Sequence, residues 1–263
     1  MSDGHRNIVW IASYPKSGNT WVRFLVCNLL YGRQGSAAAL SVLVPDIHEA
    51  GPYVERSAGG LVKTHLVFSS RLPLVERTAG AIYVVRDPAD VLASNYHYAR
   101  RSGCDSGDSQ AAFNHYFDSF MQHRGDPRWI QLGMGSWDEN VRSWLDAPQP
   151  FPVLCIKYEE LVADARAVGR SLARLLRPAS SEEEIDRAIE DSSFRRLREV
   201  EESDIRHKRV GIFYKPYLQA SIDSGNRFMR QGTTGEGERL LSSEQRARLR
   251  EALRSPLSRL GYA

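Results

Sequence analysis

The sequence predicts an α/β fold, with a single domain built on a central parallel β-sheet flanked by helices. Three short apolar runs, at residues 8–13, 81–85 and 152–156, indicate buried strands. Each run is followed by turn or charged residues and then by a helical pattern, which is the order that βαβ units require. Because strands covered on both faces read as continuous apolar runs, a parallel sheet accounts for all three.

The helices that flank the sheet are marked by apolar periodicity and by capping residues. Apolar side chains recur at three- and four-residue intervals over residues 161–175, which predicts one helix closed off by Pro178. Ser181, followed three residues later by Glu184, predicts a capping box at the start of the next helix. A leucine pattern near the C-terminus predicts a last helix interrupted near Pro256.

Composition and charge exclude several classes of protein. The chain has 263 residues, 42% hydrophobic and 25% charged, which is typical of a globular protein and excludes disorder. Its net charge of +3 is too small to indicate a nucleic-acid partner. The cysteines lack CxxC spacing, so neither a zinc site nor a disulfide framework is expected. With no long apolar run and no signal-peptide pattern, we expect a cytoplasmic protein without a membrane partner.

A turn rich in Pro, Gly and Asn joins the first strand to the first helix. Backbone N–H groups at a helix start attract anions, and Lys16, Ser17, Asn19 and Thr20 add donors to them. The Walker spacing is absent because Lys16 precedes Gly18, which argues against an ordinary nucleoside triphosphatase. The pattern therefore indicates an anion-binding loop, with a plain connecting turn as the alternative.

Residues 14–21, YPKSGNTW, resemble the 5′-phosphosulfate-binding loop of the sulfotransferases that use 3′-phosphoadenosine 5′-phosphosulfate (PAPS), whose pattern is YPKSGTTW. The resemblance implies a P-loop-kinase-like nucleotide-binding core, PAPS as donor and adenosine 3′,5′-bisphosphate (PAP) as product. By resemblance, Trp21 stacks on the adenine. The 5′-phosphosulfate is held by the lysine and the loop residues, namely Lys16, Ser17, Gly18, Asn19 and Thr20.

A second motif, YVVRDP at residues 83–88, resembles the 3′-phosphate-binding strand, loop and helix of the same family. By resemblance, Arg86 and Ser94 bind the 3′-phosphate, and the planar fork of arginine suits a phosphate held in one orientation. A local ion pair between Arg86 and Asp87 at the strand end is the alternative.

Three further segments resemble family motifs in the same order along the chain. The FMRQG segment at residues 228–232 resembles the family's FMRKG, which completes the 3′-phosphate clamp. Here Gln231 stands in place of the family's lysine. In the segment that follows, Glu236 and Gly237 stand in place of the family's Asp-Trp. YEE and SSF resemble YED and TSF, which contact the adenine. These segments imply seven more nucleotide-binding residues, namely Tyr158, Ser192, Phe194, Phe228, Met229, Arg230 and Gly232.

Residues 63–65, KTH, resemble the family motif whose histidine deprotonates the acceptor hydroxyl. The resemblance implies His65 as general base, and an imidazole with an ordinary pKa near 6.5 suits that role at neutral pH. Lys16 would neutralise charge on the bridging oxygen, Lys63 is the third implied catalytic residue, and His97 is a weaker candidate for the acceptor site. No cluster has metal-ligand spacing, so no metal is expected.

The predicted function is in-line transfer of the sulfuryl group of PAPS to a hydroxyl of a small-molecule acceptor, as in bacterial members that tailor natural products. The donor would occupy a core of about residues 8–100 and 150–240, within a single domain of residues 1–263. Segments 33–60, 100–136 and 205–227 would form acceptor walls and a lid, and the protein would be a monomer or homodimer. A kinase-like phosphotransferase and a non-catalytic nucleotide-binding protein of the same fold are the alternatives.

Aromatic side chains in these acceptor segments suggest an apolar or aromatic-containing acceptor, although core packing explains several of them equally well. They are Tyr53, Phe113, Tyr116, Phe117, Phe120, Phe213, Tyr214 and Tyr217.

Overall fold

The structure, a computed structural model, describes residues 6–49, 60–102, 109–146 and 149–262. Within these ranges the chain forms four strands, namely β1 (Ile8–Ser13), β2 (Leu61–Thr64), β3 (Thr78–Val85) and β4 (Val153–Lys157). They form one sheet in the order β2-β1-β3-β4, and β1, β3 and β4 pair in parallel. The predicted α/β domain with a parallel sheet flanked by helices is confirmed.

Helices connect and flank the strands. In the described ranges they are α1 (Asn19–Tyr31), α2 (Ala37–Leu43), α3 (Pro88–Arg101), α4 (Gln110–His123), α5 (Pro127–Gln131), α6 (Trp137–Leu145), α7 (Tyr158–Ala163), α8 (Ala165–Leu176), α9 (Glu182–Asp191), α10 (Phe194–Arg206), α11 (Gln219–Asp223), α12 (Glu236–Leu240), α13 (Ser243–Ala252) and α14 (Arg254–Leu260). Short 3₁₀ helices occur at Val75–Arg77 and Pro216–Leu218.

The chain divides into two compact units that alternate along the sequence. The first comprises Met1–Ser17, Thr64–Tyr158 and Thr233–Ala263, and the second comprises Gly18–Lys63 and Glu159–Gly232. This partition differs from the predicted division into a donor core and acceptor segments, which stays a prediction. Residues 50–59 and 103–108 of the predicted acceptor segments, including Tyr53, lie outside the described residues.

In the first unit, the register of three strands brings their carboxyl ends to one edge of the sheet. Ser13 of β1 is level with Val84 of β3, and Val84 is level with Ile156 of β4. Parallel sheets bind ligands at this edge, because the loops that follow the strands meet there. The first predicted phosphate loop, Arg86 and Tyr158 all leave strands at that edge.

Two elements differ from the sequence prediction. Strand β2 was not predicted, because an apolar run of only two residues precedes the KTH motif. The single helix predicted over residues 161–175 is two helices, α7 and α8. The side chain of Asp164 accepts a hydrogen bond from Ala167 N and caps α8, so the chain restarts a helix where the apolar spacing continues unbroken.

Two other helix boundaries follow the predicted signals. The capping box of Ser181 and Glu184 is present at the start of α9, with both reciprocal hydrogen bonds. The C-terminal helical region is interrupted at Leu253, between α13 and α14, three residues before Pro256. Helix α6 also begins with a capping box, formed by Ser136 and Glu139.

Candidate active site

The loop between β1 and α1 adopts an unusual backbone conformation. Lys16 has φ 72° and Gly18 has φ 100°, both in the left-handed region, which non-glycine residues adopt rarely. Ser17 between them is fully buried, and its Oγ has no hydrogen-bond partner among the described residues. Because a buried hydroxyl without a partner is unfavourable, the loop presents a donor suited to an anion at the start of α1.

Lys16 is held by an aromatic ring. Its Nζ lies 4.5 Å from the centre of the Tyr98 ring, which α3 carries in the same unit. A cation over an aromatic face at this distance is attracted by the ring quadrupole. The Tyr98 ring in turn lies 5.9 Å from the Trp129 ring, whose Nε1 donates to Asn95 Oδ1 at 2.8 Å.

Arg86 is nine-tenths buried at the end of β3. Its Nη2 donates to Asp90 Oδ2 at 3.2 Å and to the carbonyl of Thr233 at 3.0 Å. The guanidinium lies over the Tyr158 ring, 4.1 Å from its centre. Arg86 Nε is buried and has no hydrogen-bond partner in the described part of the chain. The arginine is therefore fixed in place, and its Nε–H is available to a ligand.

The alternative pairing of Arg86 with Asp87 does not occur. The Asp87 carboxylate instead caps α3 by accepting from Ala89 N at 2.8 Å, and it forms an ion pair with Arg250 at 3.0 Å. Ser94, the second predicted 3′-phosphate residue, lies half-buried on α3, two helical turns after the cap.

Asp90 connects Arg86 to the segment that precedes and begins α12. Besides Arg86, it accepts hydrogen bonds from Gly235 N at 2.9 Å and from Gly237 N at 2.8 Å. A Cβ on Gly237 would come within 2.1 Å of the backbone carbon of Ala89. This close approach explains why glycine stands here, where the resembling motif has tryptophan.

His65 follows β2 and is oriented by backbone and side-chain contacts. Its Nδ1 lies 2.7 Å from the carbonyl oxygen of Ser13 and 3.2 Å from Ser13 Oγ. Its own carbonyl accepts from Asn140 Nδ2 at 2.8 Å, and the Tyr83 hydroxyl donates to Asn140 Oδ1 at 2.8 Å. Since a carbonyl can only accept, Nδ1 carries the proton and Nε2 is the basic nitrogen.

Lys63 is buried in an ion pair within the second unit. Its Nζ donates to Asp46 Oδ2 at 2.7 Å, and the residue is 6% exposed. Burial lowers the pKa of Lys63 from 10.5 to about 8, while Asp46 acts in the opposite direction. The resemblance therefore remains the sole support for its predicted catalytic role.

The second unit brings together two residues predicted to contact the adenine, Trp21 and Phe194, and Gly232 of the predicted 3′-phosphate clamp. The rings of Trp21 and Phe194 are 6.1 Å apart, and Gly232, with φ 68°, packs against Phe194. A Cβ on Gly232 would lie 2.2 Å from the Phe194 ring, so only glycine fits here. Ser192 differs, because its Oγ accepts from Asn28 Nδ2 and donates to the carbonyl of Ala188.

The predicted FMRQG segment lies in the same unit. The Phe228 ring lies 5.6 Å from that of Phe213, Met229 is buried, and Arg230 is half-buried. The N–H groups of Phe228 and Met229 both donate to the carboxylate of Glu201. The segment is thus anchored through its backbone immediately before Arg230, the residue predicted to bind the phosphate.

Comparison with known proteins identifies the family. The family model described as Sulfotransferase domain matches residues 6–261. The chain belongs to the sulfotransferase family. A 3-beta-hydroxysteroid sulfotransferase from Cavia porcellus is 29% identical over 235 residues, 85% of this chain and 74% of that protein. Sulfotransferase 2A6 from Mus musculus is 27% identical over 237 residues, 86% of this chain and 75% of that protein.

Solved structures share the fold of this sulfotransferase. Retinol dehydratase in complex with androsterone and inactive cofactor PAP has a TM-score of 0.71 at 19% identity, covering 96% of this chain and 81% of that chain. Mouse sulfotransferase SULT7A1 complexed with PAP has a TM-score of 0.69 at 19% identity, covering 97% and 87%. At 19% sequence identity, the structural similarity establishes the fold alone.

Membership confirms the predicted enzyme class and, at the level of the family, PAPS-dependent sulfate transfer to a hydroxyl acceptor. The individual site residues, the absence of a metal, the cytoplasmic location and the monomeric or homodimeric state stay predictions. In the described ranges of this sulfotransferase, no group of three or more His, Cys, Asp or Glu side chains could hold a metal ion. None of the helices described there is both long and apolar enough to cross a membrane.

Several aromatic residues of the predicted acceptor walls belong to the core of this sulfotransferase instead. Buried among them are Phe113, Phe117, Phe120, Phe213 and Tyr214. Tyr116 donates its hydroxyl to Asp126 Oδ2 at 2.7 Å, and Tyr217 is 70% exposed. Burial or, for Tyr116, this hydrogen bond accounts for each of these residues except the exposed Tyr217.

Sequence reasoning missed four polar or aromatic residues that hold the site in place, namely Asp90, Tyr98, Asn140 and Glu201. Asp90 carried a weak signal, since an acidic residue in the first turn of a helix is favoured by the helix dipole. The other three carried none, because their partners are 27 to 82 residues away in the sequence.

Proposed function

We propose that this sulfotransferase transfers the sulfuryl group of PAPS to a hydroxyl of a small-molecule acceptor, including natural products, in the cytoplasm and without a metal ion. The observation that carries the proposal is a pair of buried donors at the two expected phosphate positions. Ser17 Oγ and Arg86 Nε are both buried, and neither has a hydrogen-bond partner in the described residues. Two negatively charged groups of one nucleotide would supply the missing acceptors.

In this proposal the residues divide by the part of PAPS that they bind. The positive end of α1, with the Ser17 hydroxyl and Lys16, favours the 5′-phosphosulfate. Arg86 favours the 3′-phosphate because guanidinium donors match phosphate oxygens, and the resemblance assigns Arg230 to the same group. The remaining nucleotide contacts carried over from the resemblance are Gly18, Asn19, Thr20, Trp21, Ser94, Tyr158, Ser192, Phe194, Phe228, Met229 and Gly232.

The proposed chemistry needs a base, a cation and an in-line approach. His65 Nε2 takes the proton from the hydroxyl group of the acceptor substrate. It can do so because the carbonyl of Ser13 keeps the imidazole's own proton on Nδ1. The Lys16 ammonium stabilises the negative charge that develops on the leaving oxygen, and Lys63 is the further catalytic lysine carried over from the resemblance. The residues present suit a sulfuryl donor, since positioning and electrostatics account for most of this chemistry.

A phenol or other aromatic alcohol is the acceptor class that the first unit favours. Tyr98 and Trp129 are half-buried; the Tyr98 ring contacts Lys16, and the Trp129 ring packs against Tyr98. Aromatic walls pack against aromatic or flat apolar acceptors. The Cavia porcellus relative is named for a hydroxysteroid, and retinol dehydratase is solved with bound androsterone, so steroid alcohols form the second set to be tested.

The proposal is tested by incubating the purified chain with ³⁵S-labelled PAPS and a panel of phenols and steroid alcohols in the presence of EDTA. Labelled acceptor is expected, and a variant carrying Lys16→Met is expected to form far less of it. Transfer of phosphate from ATP with Mg²⁺, without sulfate transfer, would instead establish the kinase-like alternative. PAP binding without any transfer across the panel would favour a non-catalytic nucleotide-binding protein.

A further inference from the structure

Glu201 is a buried carboxylate that none of the site motifs contains. It lies on α10 and is 1% exposed. Its Oε1 accepts the N–H of Phe228 at 2.5 Å, and its Oε2 accepts the N–H of Met229 at 2.8 Å. Both carboxylate oxygens are thus used to hold two consecutive backbone amides of the FMRQG segment.

The same helix holds the other end of that segment. Phe194, the first residue of α10, packs against Gly232 closely enough that no Cβ fits there. Phe194 and Glu201 are seven residues apart, which is two turns, so they lie on one face of the helix. Residues 228–232 therefore attach to α10 at two points, and Arg230 lies between them.

We propose that Glu201 is a positioning residue for recognition of the nucleotide's 3′-phosphate, acting through Arg230. The inference rests on the proposed function, in which Arg230 binds that phosphate. Fixing the backbone on either side of Arg230 reduces the conformational entropy that the arginine loses when it binds a phosphate. A binding side chain whose supporting contacts are fixed also reaches its ligand in a defined orientation.

The test compares two nucleotides that differ by the 3′-phosphate. Glu201→Gln retains the shape of the side chain but replaces one acceptor oxygen with an NH₂ group, which would face a backbone N–H. Calorimetric affinities for PAP and for adenosine 5′-monophosphate, which lacks the 3′-phosphate, are measured for both proteins. We expect the affinity for PAP to fall at least about tenfold and that for adenosine 5′-monophosphate to change less than about twofold.

Two further variants separate positioning from general destabilisation. Glu202→Gln is the matched control, because Glu202 is the adjacent, exposed residue of the same helix, and it should leave both affinities unchanged. In a background of Arg230→Ala, Glu201→Gln should cause little further loss of PAP affinity, since a residue acting through Arg230 is coupled to it.

Equal loss of affinity for both nucleotides in E201Q, or an undiminished further loss in the Arg230→Ala background, would overturn this role. Failure of the wild-type chain to bind PAP would overturn the proposed function as well. If E201Q does not fold, Glu201→Asp, which keeps both oxygens on a shorter stem, should show the same selective loss. In the wild-type protein, the Phe228 and Met229 amides should exchange slowly with deuterium, and fast exchange of both would contradict the anchoring.

Discussion

The imidazole Nδ1 of His65 lies 2.7 Å from the carbonyl oxygen of Ser13, the last residue of β1. This contact fixes the tautomer, because the carbonyl accepts the Nδ1 proton and leaves Nε2 as the basic nitrogen. The His65 backbone is held as well, through its carbonyl and the buried amide of Asn140. A strand end therefore orients the proposed general base before any ligand is bound.

Replacing this base should slow the chemical step without weakening nucleotide binding. We expect His65→Asn to lower kcat by about 10²–10⁴-fold, the usual contribution of general-base catalysis, while the affinity for PAP stays unchanged. Steady-state rates and calorimetry measure the two quantities. His123→Asn is the control, because His123 Nδ1 also contacts a carbonyl, that of Ser119 at 2.8 Å, but at an exposed position. A loss of turnover smaller than about tenfold in H65N would exclude this histidine as the base.

Removing the buried hydroxyl of the first phosphate loop should separate stability from binding. Ser17→Ala deletes a hydroxyl that lacks a partner in the described residues, so the free energy of unfolding should stay the same or rise. The affinity for PAP should fall roughly tenfold or more, because a hydrogen bond to a charged group is lost. Urea unfolding and calorimetry test both expectations.

Ser180→Ala is the matched control for that experiment, since Ser180 Oγ is likewise buried and without a partner in the described ranges. It follows α8 and belongs to none of the predicted motifs, so its loss should leave PAP affinity unchanged. Parallel losses of PAP affinity in both variants would show that the Ser17 effect is not local.

The close approach of Gly237 to α3 predicts a site where a single methyl group is not tolerated. Gly237→Ala should destabilise the chain by about 1–3 kcal/mol or more, because its Cβ would overlap the Ala89 backbone. The variant should also weaken PAP binding, since Asp90, which contacts Arg86, accepts from Gly237 N. Gly35→Ala provides the control, as nothing lies within 4 Å of a Cβ there. Equal urea midpoints for G237A and wild type would refute the close contact.

Burial of Lys63 predicts a rise in stability at alkaline pH. Its pKa is about 8 in the folded chain and near its ordinary value in the unfolded chain. Between pH 8 and about 10.5 the unfolded state therefore binds more protons, and by linkage the free energy of unfolding rises with pH across that window. Relative to Lys63→Met, wild type should gain stability from pH 8 to 10 in urea titrations. A difference between the two proteins that does not change over this range would contradict the lowered pKa.

Local sequence signals were sufficient to predict three of the four described strands and the turn between β1 and α1. The run at residues 8–13 is apolar throughout, and the turn and helix that follow it carry their own signals, so β1, the loop and α1 form where predicted. Helix α9 likewise begins at its capping box. In each case neighbouring residues determine the local structure, and tertiary packing does not oppose it.

The contacts that hold the site side chains could not be predicted in this way. Asp90 accepts a hydrogen bond from Gly237, which is 147 positions away in the sequence. Asn140 donates to the His65 carbonyl, which is 75 positions away. Neither periodicity nor a short motif contains such pairs, because they arise only when separate elements pack. The break between α7 and α8 was missed for another reason. Its capping residue, Asp164, is visible in the sequence, but the apolar spacing continues across it and indicates one helix.

If Arg86 and the loop around Ser17 bind the two phosphate-bearing ends of one nucleotide, calorimetric titration with PAP in EDTA should detect that binding. The wild-type chain should bind PAP at least about tenfold more tightly than adenosine 5′-monophosphate. Arg86→Lys, which keeps the charge but loses the planar fork, should remove most of that preference, while the exposed Arg71→Lys should retain it. Equal affinity of wild type for the two nucleotides, or no heat with PAP, would show that these two groups do not form a PAP site.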